Sequence, residues 1–159
     1  MLSPFGVTII KTFEKFEPRV YADAVGIPTI GYGHVVLSNE SFDEITEPEA
    51  VSLLQRDVAK AEEGVDRLVP ESHRKDNAKR ESLVSWVFNL GVGALESSTL
   101  LKVLRSAAPD RAVAEQIIRW VHGNGERLSG LVRRRHCEAV WFLGAPDEVV
   151  LSLARRAWL

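Results

Sequence analysis

The sequence predicts an α+β protein: a small N-terminal lobe with a short β-sheet and a larger all-helical C-terminal lobe, joined by a long helix. Three observations predict it. β-Forming residues and glycines crowd residues 20–37. A capped amphipathic pattern then runs from Thr46 to Leu68. Beyond about residue 80 apolar residues recur at helical spacing and no strand signal returns. At 159 residues, 45% apolar and 26% charged, the chain has ordinary globular composition, is one domain by size and is long enough to bury a core.

Ser3-Pro4 reads as an N-cap followed by proline at the first helical position. Ile9, Ile10 and Phe13 give that helix, about 3–13, its apolar face. Pro18 disfavours α geometry at Glu17, so the helix is expected to end about there, with Glu14 in its last turn. Val20 to Ala22 and Ile27 to Tyr32 read as strands around the turn Ala24-Val25-Gly26, with a third strand possible over His34 to Leu37. Thr46 followed three residues later by Glu49 is a capping box. Val51, Leu54, Val58, Ala61, Val65 and Leu68 then mark about five helical turns over 47–69, roughly 30 Å. Residues 71–80 read as charged linker. Leu83 to Leu90, Leu100 to Leu104, Ala112 to Val121 and Leu131 to Leu143 read as helices, and Pro146 opens a last one carrying Val149, Val150, Leu153 and Trp158.

Several function classes are disfavoured. A lone cysteine, Cys137, forbids an internal disulfide. Histidines 34, 73, 122 and 136 show no ligand-like pairing, so no metal and no cofactor is expected. No G-x-S-x-G elbow occurs, and Gly31-Tyr32-Gly33 is too short for a dinucleotide fingerprint. Arg133-Arg134-Arg135 do not form one stripe on a helix, and with pI near 6.1 no nucleic-acid binding is expected. No transmembrane run appears, and Met1 to Ile10 lacks the basic region and cleavage site of a signal peptide. Net charge is −2 but unevenly placed: residues 1–70 carry six Lys/Arg against twelve Asp/Glu, and 71–159 fourteen against ten. That asymmetry would suit an anionic polymer, and is equally what solvated faces produce.

The stretch FEKFEPRVYADAVGIPTIGYGH, Phe13 to His34, holds the chemistry-bearing residues. Glu14 lies by a helix end, and Asp23 and Thr29 lie in the glycine-punctuated β stretch. Two carboxyl groups on different local structures can face each other across a gap, which glycoside hydrolysis requires. Taken alone, such acids are more often a surface charge and a turn residue.

The ordered pattern of Glu14, eight residues, Asp23, five residues, Thr29, then Ile30-Gly31-Tyr32-Gly33-His34 resembles the phage-type lysozymes, the T4-like endolysins of glycoside hydrolase family 24. Phe88-Asn89-Leu90-Gly91, Ser98-Thr99-Leu100-Leu101 and Gly130-Leu131-Val132-Arg133-Arg134-Arg135 with Glu138 extend the resemblance in family order, so that it covers about residues 7–144. The fit is poorer at 71–80 and at Asn124, which separates glycines often adjacent in the family.

The resemblance implies a single lysozyme-like domain over 1–159: a small lobe at about 14–50, the linking helix, and a helical lobe at about 80–159 with the first helix packed on it. It implies an endolysin muramidase that cuts the β-1,4 bond between N-acetylmuramic acid and N-acetylglucosamine in peptidoglycan. Glu14 would be the general acid, Asp23 the base or charge-stabilising group, and Thr29 would help hold the attacking water. Inversion would be expected. Tyr32, Asn89, Arg133, His34 and Asp57 would bind substrate or support the site. Among these, Arg133 would reach Glu14 while its neighbours stay solvated, and His34 would pair structurally with Asp57. The same resemblance implies a monomer without stable membrane association, made in the host cytoplasm and acting on the periplasmic wall after a holin-type partner opens the membrane. A non-catalytic wall-binding module and a lysozyme-fold antibacterial effector are the alternatives.

Overall fold

The computed structural model describes residues 1–23, 26–123 and 125–156. Helix α1 (Pro4–Phe13) begins as its cap residues dictate, with the Ser3 hydroxyl accepting the Gly6 N–H at 3.1 Å. It stops at Phe13, sooner than Pro18 requires. Glu14 is the first residue beyond it, already extended at φ −95°, with its N–H still given to Ile10.

Strands β1 (Glu17–Ala22), β2 (Pro28–Gly31) and β3 (His34–Val35) form an antiparallel sheet in that order. β1 starts earlier than its apolar pattern indicates because it is an edge strand, where Pro18 need donate no ladder bond. The turn anticipated at Ala24-Val25-Gly26 lies mostly outside the described residues; Gly26 itself has φ +83°. Gly31 and Gly33 flank Tyr32 with φ of +66° and +86°, a left-handed backbone that side chains resist. At Gly31 a Cβ would also sit 3.2 Å from that of Ala50, so the missing side chain lets the sheet close onto the next helix.

That helix, α2 (Glu47–Leu68), carries the capping box: the Glu49 carboxylate accepts the N–H and the hydroxyl of Thr46 at 2.7 and 2.8 Å. Residues 71–80 are not a linker. They fold as α3 (Glu71–Arg74) and the first turn of α4 (Asn77–Leu90), capped by Asp76. α4 is the hub, packed against α2 on one side and the later α8 on the other, and every residue from Glu81 to Val87 is buried. Its burial all round explains why the Leu83–Trp86–Val87–Leu90 face understates its role.

The chain continues through α5 (Val92–Ser97), α6 (Thr99–Arg105) and α7 (Asp110–Ile117). A second sheet follows, β4 (His122–Gly123) with β5 (Glu126–Arg127), where the sequence pattern gave no strand. Two-residue strands are too short to show alternation; Asn-Gly at 124–125 was the available hairpin signal. Asn124 lies outside the described residues, as does Trp158 in the segment after α9. α8 (Ser129–Phe142) and α9 (Asp147–Arg155) complete the fold.

The main core joins Ile10 and Ile30 to Leu54, Leu83, Trp86, Leu100, Leu104, Ile117 and Phe142. Each such fully buried side chain contributes about 1.5–3 kcal/mol. A second cluster of Ile9, Cys137, Trp141, Val150 and Ala154 fixes α1 to α8 and α9, with the Phe5 ring edge-on to Trp141 at 5.5 Å. Glu81 secures the start of α1, accepting the Ser3 N–H at 2.5 Å and the Ser3 hydroxyl at 2.8 Å. α1 is thus held by helices from the far end of the sequence, and this places Glu14. Among the described residues no helix is long and apolar enough to cross a membrane.

Candidate active site

A cleft of about 880 Å³ opens between the β2–β3 turn, the middle of α2 and the end of α4. Glu14, Tyr32, His34, Asp57 and Asn89 all line it, so five of the eight anticipated residues converge on one concavity. Asp23, Thr29 and Arg133 are not among its lining residues.

Glu14 is half-buried at the mouth of α1. Its Oε1 accepts a hydrogen bond from Arg134 Nη1 at 2.6 Å, and a Cβ on Gly33 would lie 3.7 Å from its Oε2. The arginine that reaches this carboxylate is therefore Arg134, not Arg133. Helix rotation decides it. Arg133 points along the outer flank, where Nη1 donates to the Arg156 carbonyl at 3.2 Å and the guanidinium lies 5.5 Å from the Phe13 ring. Arg134 packs against the same ring, at 5.3 Å, and continues inward to Glu14.

Arg135 is not solvated either; it is fully buried with Glu138, and Arg134 is 4% exposed. Glu138 lies four and three residues beyond the two arginines, so both can reach it from one side of the helix. Arg134 Nε donates to Glu138 Oε1 at 3.2 Å, Ser85 Oγ donates to the same oxygen at 2.7 Å, and Arg135 Nη1 donates to Glu138 Oε2. The other end of Arg135 donates to Asn89 Oδ1. A continuous charge-assisted chain thus runs from Asn89 through Arg135, Glu138 and Arg134 to Glu14. Burial draws the Arg135 guanidinium below the usual arginine value, and the Glu138 charge opposes that fall. The signal for this network was present in the sequence as Arg-Arg-x-x-Glu, an inward-facing pair with its own counter-charge.

Asp23 is held differently. Its Oδ1 accepts the Ile27 N–H at 2.8 Å, and its own N–H donates to the Ile27 carbonyl at 3.0 Å. This is a local closure of the β1–β2 hairpin. Thr29 sits on the central strand opposite Tyr21 on one side and Val35 on the other, 4% exposed. Its hydroxyl donates to the Ile27 carbonyl at 3.0 Å, so the oxygen's remaining capacity is as an acceptor.

His34 pairs with Asp57 as anticipated, Nδ1 to Oδ2 at 2.7 Å, and is 3% exposed. A second acid was missed: Glu40 Oε2 stands 2.8 Å from His34 Nε2. Glu40 also accepts the Leu37 N–H at 3.1 Å and Arg56 Nη2 at 2.7 Å. The bond to His34, then those to Leu37 and Arg56, hold its carboxyl down to about 2. Tyr32 is similarly tied from behind, its hydroxyl donating to Glu47 at 2.7 Å, with Lys11 on the same carboxylate. Burial, then the bond to Glu47, raises the Tyr32 hydroxyl above the ordinary tyrosine value. Among the described residues no group of acids, histidines and cysteines is placed to hold a metal ion.

The phage lysozyme family matches residues 11–138. The endolysin of Bacillus phage B103 is 35% identical over 147 residues, 89% of this chain and 54% of its own length, so the chain spans about half of that relative. The endolysin of Acyrthosiphon pisum secondary endosymbiont phage 1 is 31% identical over 91% of this chain and 99% of its own. Among solved structures, the endolysin from Escherichia coli O157:H7 phage FAHEc1 superposes with a TM-score of 0.79 at 30% identity, covering 91% of this chain and 94% of that one. The match takes in both the cleft and the buried network behind Glu14, and the chain belongs to the phage lysozyme family.

Proposed function

We propose that this chain is a T4-like muramidase of glycoside hydrolase family 24, hydrolysing the β-1,4 bond between N-acetylmuramic acid and N-acetylglucosamine in bacterial peptidoglycan. The observation that carries this reading is the placement of Glu14. Its carboxyl lines a cleft of about 880 Å³ and is held there by a buried arginine. Glu14 delivers a proton to the leaving glycosidic oxygen as the bond breaks. Water attacks the opposite face of the sugar, with Asp23 as base or charge-stabilising group and Thr29 helping to hold the water. The Thr29 hydrogen is committed to Ile27, so its oxygen would accept from that water. An attack by water assisted in this way gives inversion. The Arg134 pair positions Glu14 at rest, and substrate must weaken it before the proton is delivered.

The relatives are endolysins, which supports a role in phage-induced host lysis. The enzyme would work as a monomer on the periplasmic wall, reaching it from the host cytoplasm through a holin-type membrane partner. Replacing Glu14 tests the reading. Glu14→Gln should release reducing ends from purified wall about 10² to 10⁴ times more slowly, with its circular dichroism and cooperative melting preserved. A folded variant keeping more than about a tenth of the activity would assign the acid role elsewhere.

A further inference from the structure

The charged side chains lining the cleft are not all paired. Its three carboxylates are all engaged within the protein: Glu14 by Arg134, Asp57 by His34, and Glu40 by His34 and Arg56. Of its two cationic side chains, Arg56 is held by Glu40 at 2.7 Å. The other, Lys60, lies one turn further along α2 on the same face, four residues on. It is exposed, and no carboxylate of the described residues stands within ion-pair distance of it. Lys11, Lys15, Lys75 and Lys79 each stand against an acid, at 2.7, 2.6, 3.2 and 2.6 Å, whereas Lys102, which does not line the cleft, shares with Lys60 the lack of an ion pair among the described residues. Lys60 is therefore the cationic side chain of the cleft lining that has no ion-pair partner among the described residues, and it stands on the wall formed by α2.

We infer that Lys60 is a specificity-determining residue that receives a free carboxylate of the peptide borne by the glycan. The inference rests on the muramidase reading above. In the intact strand the lactyl carboxyl of each N-acetylmuramic acid is tied up in its amide to the peptide, so the strand's negative charge resides on the free acids of that peptide. An unpaired ammonium beside the path of the strand selects for that peptide. A lysine suits the task because its long flexible stem and three rotatable donors can follow a mobile peptide, whereas the Arg56 guanidinium already gives its Nη2 to Glu40. Lys60 is solvent-exposed, so the contact should be worth only a modest factor and should weaken with salt.

The experiment uses Glu14→Gln protein, in which turnover about 10² to 10⁴ times slower leaves the oligomers intact through a titration. Two probes are titrated at low and high salt: soluble glycan oligomers with intact peptides, and the same oligomers with the peptide carboxylates converted to amides. The oligomer with free peptide carboxylates should bind more tightly. Lys60→Ala should remove about fivefold of that preference, Lys60→Arg should keep most of it, and salt should erase it. A preference unchanged in Lys60→Ala, equal losses for both probes, or no initial preference would overturn the inference. Failure of the underlying reading shows separately, as an unmutated chain that releases no reducing ends from wall. The binding ratio stands or falls without that result.

Discussion

Glu14 and Asp23 are anchored by opposite means. Glu14 stands just past α1, and its position depends on α8, with Arg134 reaching it across 120 residues of sequence. Behind Arg134 are Glu138, Arg135, Ser85 and Asn89, all in the interior or at the cleft edge. Asp23 closes its own hairpin through Ile27, four residues away. One carboxylate is therefore set by the packing of the whole helical body, and the other by a few residues of local chain. Damage to the core should move Glu14 and spare the geometry of Asp23, whereas damage to the hairpin should do the reverse.

The comparison breaks most sharply at Glu138. It is wholly buried and balances two arginines that would otherwise be uncompensated charges in the interior. Glu138→Ala should cost about 3–5 kcal/mol of stability and release Arg134, so that activity falls with it. Chemical unfolding of the variant checks this; a loss below about 1 kcal/mol would mean that the arginines find water or another partner. Asp23→Ala should do the opposite. It should lower activity by about 10²-fold or more. It should also remain within about 1 kcal/mol of the parent stability, since the bond to the Ile27 N–H is local and exposed. Equal stability losses in the two variants would abolish the distinction between interior and local anchoring.

The arginine run sharpens the comparison one step further. Arg134→Ala should impair both stability and turnover, because it removes the link between Glu138 and Glu14. Arg133→Ala, which gives up only a half-exposed bond to the Arg156 carbonyl and contact with Phe13, should cost about 0.5 kcal/mol and leave turnover near normal. If Arg133→Ala were the more damaging, the rotation of α8 would differ from that described.

These two regions also differ in how much the sequence disclosed. The hairpin elements were legible because Gly31, Gly33 and alternating β-formers determine a local geometry. α2 was legible because Thr46, Glu49 and Pro48 mark its start and its apolar stripe is regular. α4 was harder, since a helix buried on all sides has no polar face to set its phase. Among Arg133, Arg134 and Arg135 sequence cannot fix which residue faces inward, because 100° between neighbours is decided by packing of α8 on α4 and α7. Placing Glu138 three and four residues downstream shows in retrospect why two of the three turn in. The Glu40 contact to His34 was hidden for another reason: it comes from an irregular loop, where no periodicity relates sequence distance to space.

Glu40 supplies the smallest effect and the one most sensitive to pH. Its carboxyl, ordinarily near 4.5, is held down to about 2 by His34, the Leu37 N–H and Arg56. A group whose folded value is depressed contributes fully above its unfolded value and loses that contribution as pH falls through its folded value. Glu40 should therefore add stability above about 4.5, progressively less between about 4.5 and 2, and none below. Glu40→Gln keeps the shape of the side chain and removes the titration. In parallel urea unfolding, the gap between parent and variant should be full at pH 7 and close as pH falls through that window. The tie is remote from α8, so the variant should leave the Arg134–Glu14 contact intact and retain most of its turnover at neutral pH. A stability gap that stays constant with pH would show that the loop is held by shape alone, and that the charge on Glu40 contributes nothing to this wall of the cleft.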